Sequence, residues 1–188
     1  MDWLFSIVRI AGSAFPYASI FLQMQAEIDN KRLSDRIRKF EDPIGHMHDD
    51  IPRVIDEIYN NLKTTDKQTL SFDKAFYDEF RRPLAMLESQ GFIKGNHSIS
   101  VPFYAGLELI DPSFILYMAA LLENQINMQN FIKIVDSCEP GKLLNGTDLA
   151  SEHYLPKTVV KAVFKVYQSK NLGITSKETT VLHYVGRA

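Results

Sequence analysis

Apolar positions near the C-terminus recur at helical spacing. Four of them fall at i, i+3, i+4 and i+7, the spacing of one buried helix face: Val160, Val163, Phe164 and Tyr167. Lysines four residues apart follow another side of the same segment. Two short runs, "GITSKE" and "TTVLHYVG", come next and are typical of paired strands. The pattern therefore predicts a helix over 156–171 and a β-hairpin over 174–186.

A similar order of elements is predicted twice along the chain. In the second half, a strand-like "KLL" and a helix "TDLASEHY" precede the helix 156–171. In the first half, a helix over about 51–62, a strand-like "TLSF" and a helix "DKAFYDEFRR" come before a short third helix near Pro83. Strand-like "FIKGNHSISVPF" and "GLELI" follow it. The halves align where the third helix ends, with Gly91 opposite Asn171, because both residues tolerate the left-handed backbone found there.

Cap residues and prolines mark where several helices begin. Asp111 followed by Pro112 opens the apolar segment "DPSFILYMAALLE", which we expect to form a helix packed between the two halves. Asp42 and Asp50 also shortly precede prolines and are predicted helix caps. Thr147 is predicted to open the helix "TDLASEHY".

A short strand, two helices joined by a tight turn and a β-hairpin form an order that resembles the winged-helix fold. The resemblance covers about residues 50–110 and 127–188 and is closer in the second half, because Pro83 interrupts the third helix of the first. It implies a mostly α fold with small β-hairpins (α+β), in which N-terminal apolar helices precede two winged-helix modules. The N-terminal helical segment, the first module with a following apolar helix, and the second module occupy 1–49, 50–125 and 126–188.

Charge is unevenly distributed, although the formal net charge is only −2. Residues 126–188 carry eight basic and five acidic groups and form the only basic part of the chain. In winged-helix proteins that bind DNA, the resemblance implies that the third helix enters the major groove while the hairpin touches the backbone. Lysines suit phosphates, and the threonine at the helix start is the side chain expected to touch a base. The residues predicted to bind nucleic acid are therefore Lys157, Thr158, Lys161, Lys165 and Lys177.

Other interpretations of this helix stay open. The lysines could simply keep a structural helix soluble. Many winged helices bind proteins instead of DNA, among them the paired ones in chromosome-condensation and membrane-sorting complexes. The leading interpretation is thus a non-enzymatic binding protein whose C-terminal module contacts DNA. The alternative is an adaptor or effector subunit whose winged helices contact other proteins.

The first 25 residues are unusually apolar. The run "WLFSIVRIAGSAFPYASIFLQM" is long enough to cross a bilayer, but Arg9 and Pro16 argue against a simple span. Two helices broken near Pro16, buried in a core or a subunit interface, are the other interpretation. No basic leader precedes the apolar run, so a secretory signal is not expected. We expect residues 3–24 to form an interface with a membrane, a second copy of the chain or a protein partner, through Trp3, Leu4, Phe5, Ile7, Val8 and Ile10.

The sequence contains no motif that indicates a particular enzymatic reaction. The run "HMHDD" contains His46 and His48, but on a helix these would point about 200° apart, so we expect turn and cap residues there and no metal site. Cys138 has Glu139 beside it and no base, so a structural thiol is expected. We therefore predict no catalytic residue, metal, cofactor or small-molecule substrate. A single cysteine excludes an internal disulfide and suits a cytoplasmic protein, including one at the inner face of a membrane.

Overall fold

The computed structural model describes residues 50–97, 104–175 and 181–186. Within these ranges the chain forms seven helices and two three-stranded antiparallel sheets. A mixed α+β fold with small sheets is therefore confirmed. Four predictions fall outside the described residues: the interface through 3–24, the cap at Asp42, the turn with His46 and His48, and the hairpin residue Lys177.

The first half combines helices with one sheet. Its described elements are α1 (Ile51–Thr65), β1 (Thr69–Leu70), α2 (Lys74–Glu79), α3 (Arg81–Ser89), β2 (Ile93–His97) and β3 (Tyr104–Leu109). β3 lies in the middle of the sheet and is antiparallel to both neighbours, with Leu70 opposite Leu107. α1 buries one face because its apolar residues recur at helical spacing: Ile51, Val54, Ile55, Ile58, Tyr59 and Leu62.

The second half repeats this order. Its described elements are α4 (Pro112–Leu122), α5 (Gln125–Asp136), β4 (Leu143–Asn145), α6 (Gly146–Glu152), α7 (Lys157–Ser169), β5 (Gly173–Thr175) and β6 (Val181–Tyr184). β6 is the middle strand, with Leu144 opposite Leu182. From α5 to β6 the order of elements and of strands is the same as from α1 to β3, and α4 joins the two series.

The ends of α3 and α7 have the same geometry. Gly91 has φ 76° and Asn171 has φ 57°, so both adopt the left-handed conformation that the alignment predicted. The next residue in each half then bonds back into the helix: Phe92 N donates to Leu87 O at 3.1 Å, and Leu172 N donates to Tyr167 O at 3.0 Å. The predicted correspondence between Gly91 and Asn171 is confirmed.

One continuous hydrophobic core runs through both halves. α4 contacts α1 on one side and α7 on the other, and it buries every residue from Ser113 to Ala120. This confirms the prediction that the apolar helix packs between the halves. At its end the carboxylate of Glu123, whose side chain is only 6% exposed, lies 2.9 Å from Lys63 Nζ of α1. Burial and the charge of Glu123 raise the pKa of Tyr59 on the same face of α1.

Two predicted caps need correction. α6 begins at Gly146, and its cap is Asn145, whose Oδ1 accepts from Thr147 N at 3.0 Å. Asn145 takes this role because an Asn before the first helical turn reaches the free amides better than a residue inside it. Asp50 precedes α1 in a helical conformation that directs no capping hydrogen bond to the first turn, and its Oδ1 lies 3.5 Å from Arg53 Nη1.

The starts of α3 and α4 follow from proline chemistry. α3 begins at Arg81, two residues before Pro83, because amides of the first helical turn have no acceptor within the helix and proline loses nothing there. At α4 the predicted cap is confirmed, since Asp111 Oδ1 accepts from Ser113 N at 2.7 Å. Taken over the described ranges, none of the helices has both the length and the apolar character needed to cross a bilayer.

Candidate functional site

The start of α7 is capped by a residue from the first half. Pro156, at the cap position of α7, provides no side-chain acceptor. Asp66, just after α1, fills this role: its Oδ2 accepts from Lys157 N at 3.1 Å and its Oδ1 from Thr158 N at 2.9 Å. Asp66 holds a left-handed backbone, with φ 50° and ψ 39°, that ends α1 at this point. Its carboxylate thus satisfies free amides of α7 and complements the positive end of that helix.

Thr158 is part of the same contact. Its hydroxyl Oγ1 donates to Asp66 Oδ1 at 3.0 Å, and the residue is only 4% exposed. A threonine this deeply buried reaches a base edge only if α7 first separates from Asp66. The prediction that Thr158 contacts a base therefore requires a rearrangement, whereas its part in fixing the start of α7 does not.

The lysine side of α7 faces the first half. Lys157 is exposed, while Lys161 and Lys165 are half-buried. Burial lowers the pKa of Lys165, the positive charge of Lys161 lowers it further, and Glu108 of β3 partly offsets both. The rest of the helix is almost entirely buried, through Thr158, Val159, Val160, Ala162, Val163, Phe164, Val166 and Tyr167.

A cleft of about 340 Å³ separates this lysine side from the turn before β1. Both halves of the chain contribute to its walls: Asp66, Lys67, Gln68, Thr69, Lys157, Thr158 and Lys161. Of the predicted nucleic-acid residues, the fold brings three into this cleft and places Lys165 one helical turn away, beside Glu108. Sequence reasoning missed Asp66 and Lys67. The run "TTDKQT" after a helix was their only signal, and it does not reveal a partner 91 residues away.

Comparisons with protein-family models, with curated proteins and with solved structures find no match. The functional argument therefore depends on the geometry of the chain itself.

The outer face of the second sheet presents an exposed apolar row. Leu143 of β4 and Ile174 of β5 both pair with His183 of β6, so the three side chains lie side by side. Leu143 is 67% exposed and Ile174 is 62% exposed. We call Leu143, His183 and Ile174 the outer row of the second sheet.

The corresponding row of the first sheet is polar. There Thr69 and Lys94 both pair with Glu108, at the positions that match the outer row of the second sheet. The two sheets share their strand order but differ in the chemistry of this face. Among the described residues, two aliphatic side chains of the second sheet are thus exposed at positions where the first sheet has polar side chains.

Catalytic and metal chemistry find little support in the described residues. Cys138 is half-buried, burial raises the pKa of its thiol, and Sγ donates to Glu139 O at 3.7 Å. A raised pKa reduces the thiolate fraction, which is the opposite of what a nucleophilic cysteine needs. Within the ranges that the structure describes, His, Cys, Asp and Glu side chains form no group of three that could hold a metal ion.

Proposed function

We propose that this chain is a non-enzymatic binding protein made of two winged-helix modules, and that its ligand is another protein. Two features support the winged-helix interpretation. Each half has the order helix, strand, two helices and two strands. In each half the last strand lies between the other two. The strand, the two helices and the two final strands follow the order on which the resemblance in sequence was based, and this order occurs twice in the chain.

The position of α7 is the observation that favours a protein ligand over DNA. A helix that reads DNA must present one side freely to a major groove about 12 Å wide. α7 instead packs against α4, α6 and β5, and its lysine side forms the wall of a cleft. Its first turn is also held by Asp66 from the other half. In this arrangement α7 acts as a brace inside the molecule.

The outer row of the second sheet is the surface that we assign to the partner. Two exposed aliphatic side chains flank an imidazole, so the partner that fits offers apolar side chains together with a hydrogen-bonding group for His183. Burial of Leu143 and Ile174 against a partner would contribute up to ~1.5–3 kcal/mol for each side chain. Lys94, the exposed end of the polar row of the first sheet, lacks this chemistry and provides an internal control.

Site-specific crosslinking tests this proposal. A photoreactive amino acid is placed at Ile174 in one protein and at Lys94, the matching position of the first sheet, in another. Both are expressed in the cells that produce the chain, and adducts are identified by mass spectrometry. We expect one discrete protein adduct from position 174 and none from position 94.

Purified components then provide the quantitative test. Ile174→Asp should weaken binding of the identified partner at least about tenfold, as expected for a central contact residue, whereas Lys94→Asp should leave it unchanged. Equal adducts from both positions, or equal effects of both substitutions, would contradict the assignment of the surface.

A second candidate function is contact with nucleic acid, and the row of lysines on α7 favours it. Lys157, Lys161 and Lys165, together with Lys177 of the predicted hairpin, would neutralise phosphates along one backbone. Fluorescence anisotropy with random duplex DNA at low salt tests this. If the lysines bind phosphates, changing the three on α7 to Gln should reduce the slope of log affinity against log salt by about 0.9 for each phosphate that is no longer neutralised.

A further inference from the structure

The cleft beside α7 has an excess of positive charge. Three lysines line it, Lys67 from the first half and Lys157 and Lys161 from the second, against a single carboxylate. That carboxylate, Asp66, accepts three hydrogen bonds from the start of α7, so both of its oxygens are occupied by groups of the helix. The cleft therefore keeps a net positive charge that its own acidic residue does not neutralise.

Neutral hydrogen-bonding groups complete the cleft. Thr69 and Gln68 line it from the β1 side, next to Lys67 in the chain. The backbone here is fixed, because Gln68 O accepts from Leu109 N at 2.9 Å and Thr69 pairs with Glu108. A hydroxyl and an amide beside several ammonium groups match a phosphate group, which accepts hydrogen bonds on all its outer oxygens.

The size of the cleft limits the phosphate-bearing ligands that can enter it to small molecules. Its volume of about 340 Å³ lies at the lower end of the range of small-molecule sites. A nucleotide-sized molecule fits such a space, whereas a duplex is far too wide to enter between the two halves.

Repulsion within α7 gives a reason for an anion to bind here. Lys161 and Lys165 lie one turn apart on α7, so the fold holds like charges close together; burial first and then the charge of Lys161 lower the pKa of Lys165, while Glu108 partly offsets both. An anion bound at Lys161 offsets this repulsion. It also contacts both halves at once and would strengthen their packing by mass action.

We propose that this cleft binds a small phosphorylated molecule of up to nucleotide size, with Lys67, Lys157 and Lys161 contacting the phosphate and Thr69 and Gln68 donating hydrogen bonds. The proposal is independent of the protein-binding function, because the outer row of the second sheet lies on different strands. The proposal concerns binding alone.

Calorimetric titration of the full chain tests the site. Inorganic pyrophosphate and AMP are titrated separately, with sodium chloride added to keep the ionic strength constant. The variants are Lys67→Gln on the turn before β1 and Lys161→Gln on α7. Lys133→Gln on α5 is the matched control, because Lys133 is an exposed lysine that does not line the cleft.

We expect saturable binding of at least one probe, weakened at least about tenfold by Lys67→Gln and by Lys161→Gln and unchanged by Lys133→Gln, because each cleft lysine makes a charge-assisted bond. If Lys161→Gln lowers stability, Lys67→Gln at an exposed turn still decides the question. Absence of saturable binding by both probes overturns the proposal, as does an equal effect of the control. Displacement of the probe by duplex DNA at lower concentration than by AMP would assign the cleft to nucleic acid instead.

Discussion

Two contributions fix α7 in place: the cap provided by the Asp66 carboxylate and the burial of the apolar side chains of α7. Removing the carboxylate should separate the first from the second. We choose Asp66→Gly because glycine keeps the left-handed backbone at this position, which alanine would strain. The change removes the acceptor of Lys157 N, Thr158 N and the Thr158 hydroxyl. Apart from the added freedom of glycine in the unfolded chain, the loss of stability then reports these three hydrogen bonds.

The size of the effect follows from these three bonds. Loss of a helix cap costs ~1 kcal/mol. A buried hydroxyl without a partner costs a further ~1–3 kcal/mol. Because Thr158 sits at a helix start where some rearrangement is possible, we expect the free energy of unfolding to fall by about 2–3 kcal/mol, which includes less than ~1 kcal/mol from the added freedom of glycine in the unfolded chain.

Urea denaturation of the parent and four variants tests this estimate. Asp66→Asn keeps one acceptor oxygen and the left-handed backbone, so it should cost less than half as much as Asp66→Gly. Thr158→Val, alone and with Asp66→Gly, completes a double-mutant cycle whose coupling energy should be about 1 kcal/mol or more. The reasoning is refuted if Asp66→Gly and Asp66→Asn are equally mild, or if the effects of Asp66→Gly and Thr158→Val simply add.

Three further substitutions test the packing. Phe164→Ala should lower the free energy of unfolding by ~3–5 kcal/mol because it empties a fully buried position, while Lys157→Gln on the same helix should change it by less than ~0.5 kcal/mol. Equal losses in urea denaturation would contradict the burial of α7. Lys63→Met should lower the free energy of unfolding by ~1–3 kcal/mol, because the buried Glu123 carboxylate loses its ion pair, and adding Glu123→Gln should recover most of the loss. A double variant no more stable than Lys63→Met would exclude the ion pair as the cause. Lys165→Met should not lower the unfolding midpoint at pH 7, because the folded state lowers the pKa of Lys165 from 10.5 and so disfavours its charged form. For the same reason, the contribution of Lys165 to stability should rise as the pH increases toward 10.5. A clear loss of stability in Lys165→Met would show that the ion pairing of Lys165 outweighs its burial.

Several local sequence signals were sufficient where the chemistry is local, although the caps predicted at Asp50 and Thr147 were wrong. The sequence "DP" at the start of α4 predicted both the cap and the helix, since Asp111 and Pro112 act within one turn. The matched ends of α3 and α7 could be predicted because Gly91 and Asn171 each meet a backbone requirement of their own position. The mixed helix and hairpin order followed from such signals.

The candidate site could not be predicted in the same way. Its cap, Asp66, acts on a helix more than 90 residues further along the chain, and no periodicity records such a pairing. The burial of α7 did leave a signal. Val159, Ala162 and Val166 form a second apolar stripe beside the first, so the helix is apolar over more than half its circumference, which indicates a helix packed on two sides.

Hydrogen exchange of α7 in the native protein tests the central claim most directly, because the proposed function depends on this helix being an internal brace. We predict that amides of Lys157–Ser169 exchange as slowly as those of the buried helix Pro112–Leu122, and that Asp66→Gly speeds exchange chiefly in the first turn of α7. If α7 exchanges quickly while Pro112–Leu122 stays protected, the helix opens by itself and is available to enter a DNA groove. That result would contradict the brace and favour the nucleic-acid function.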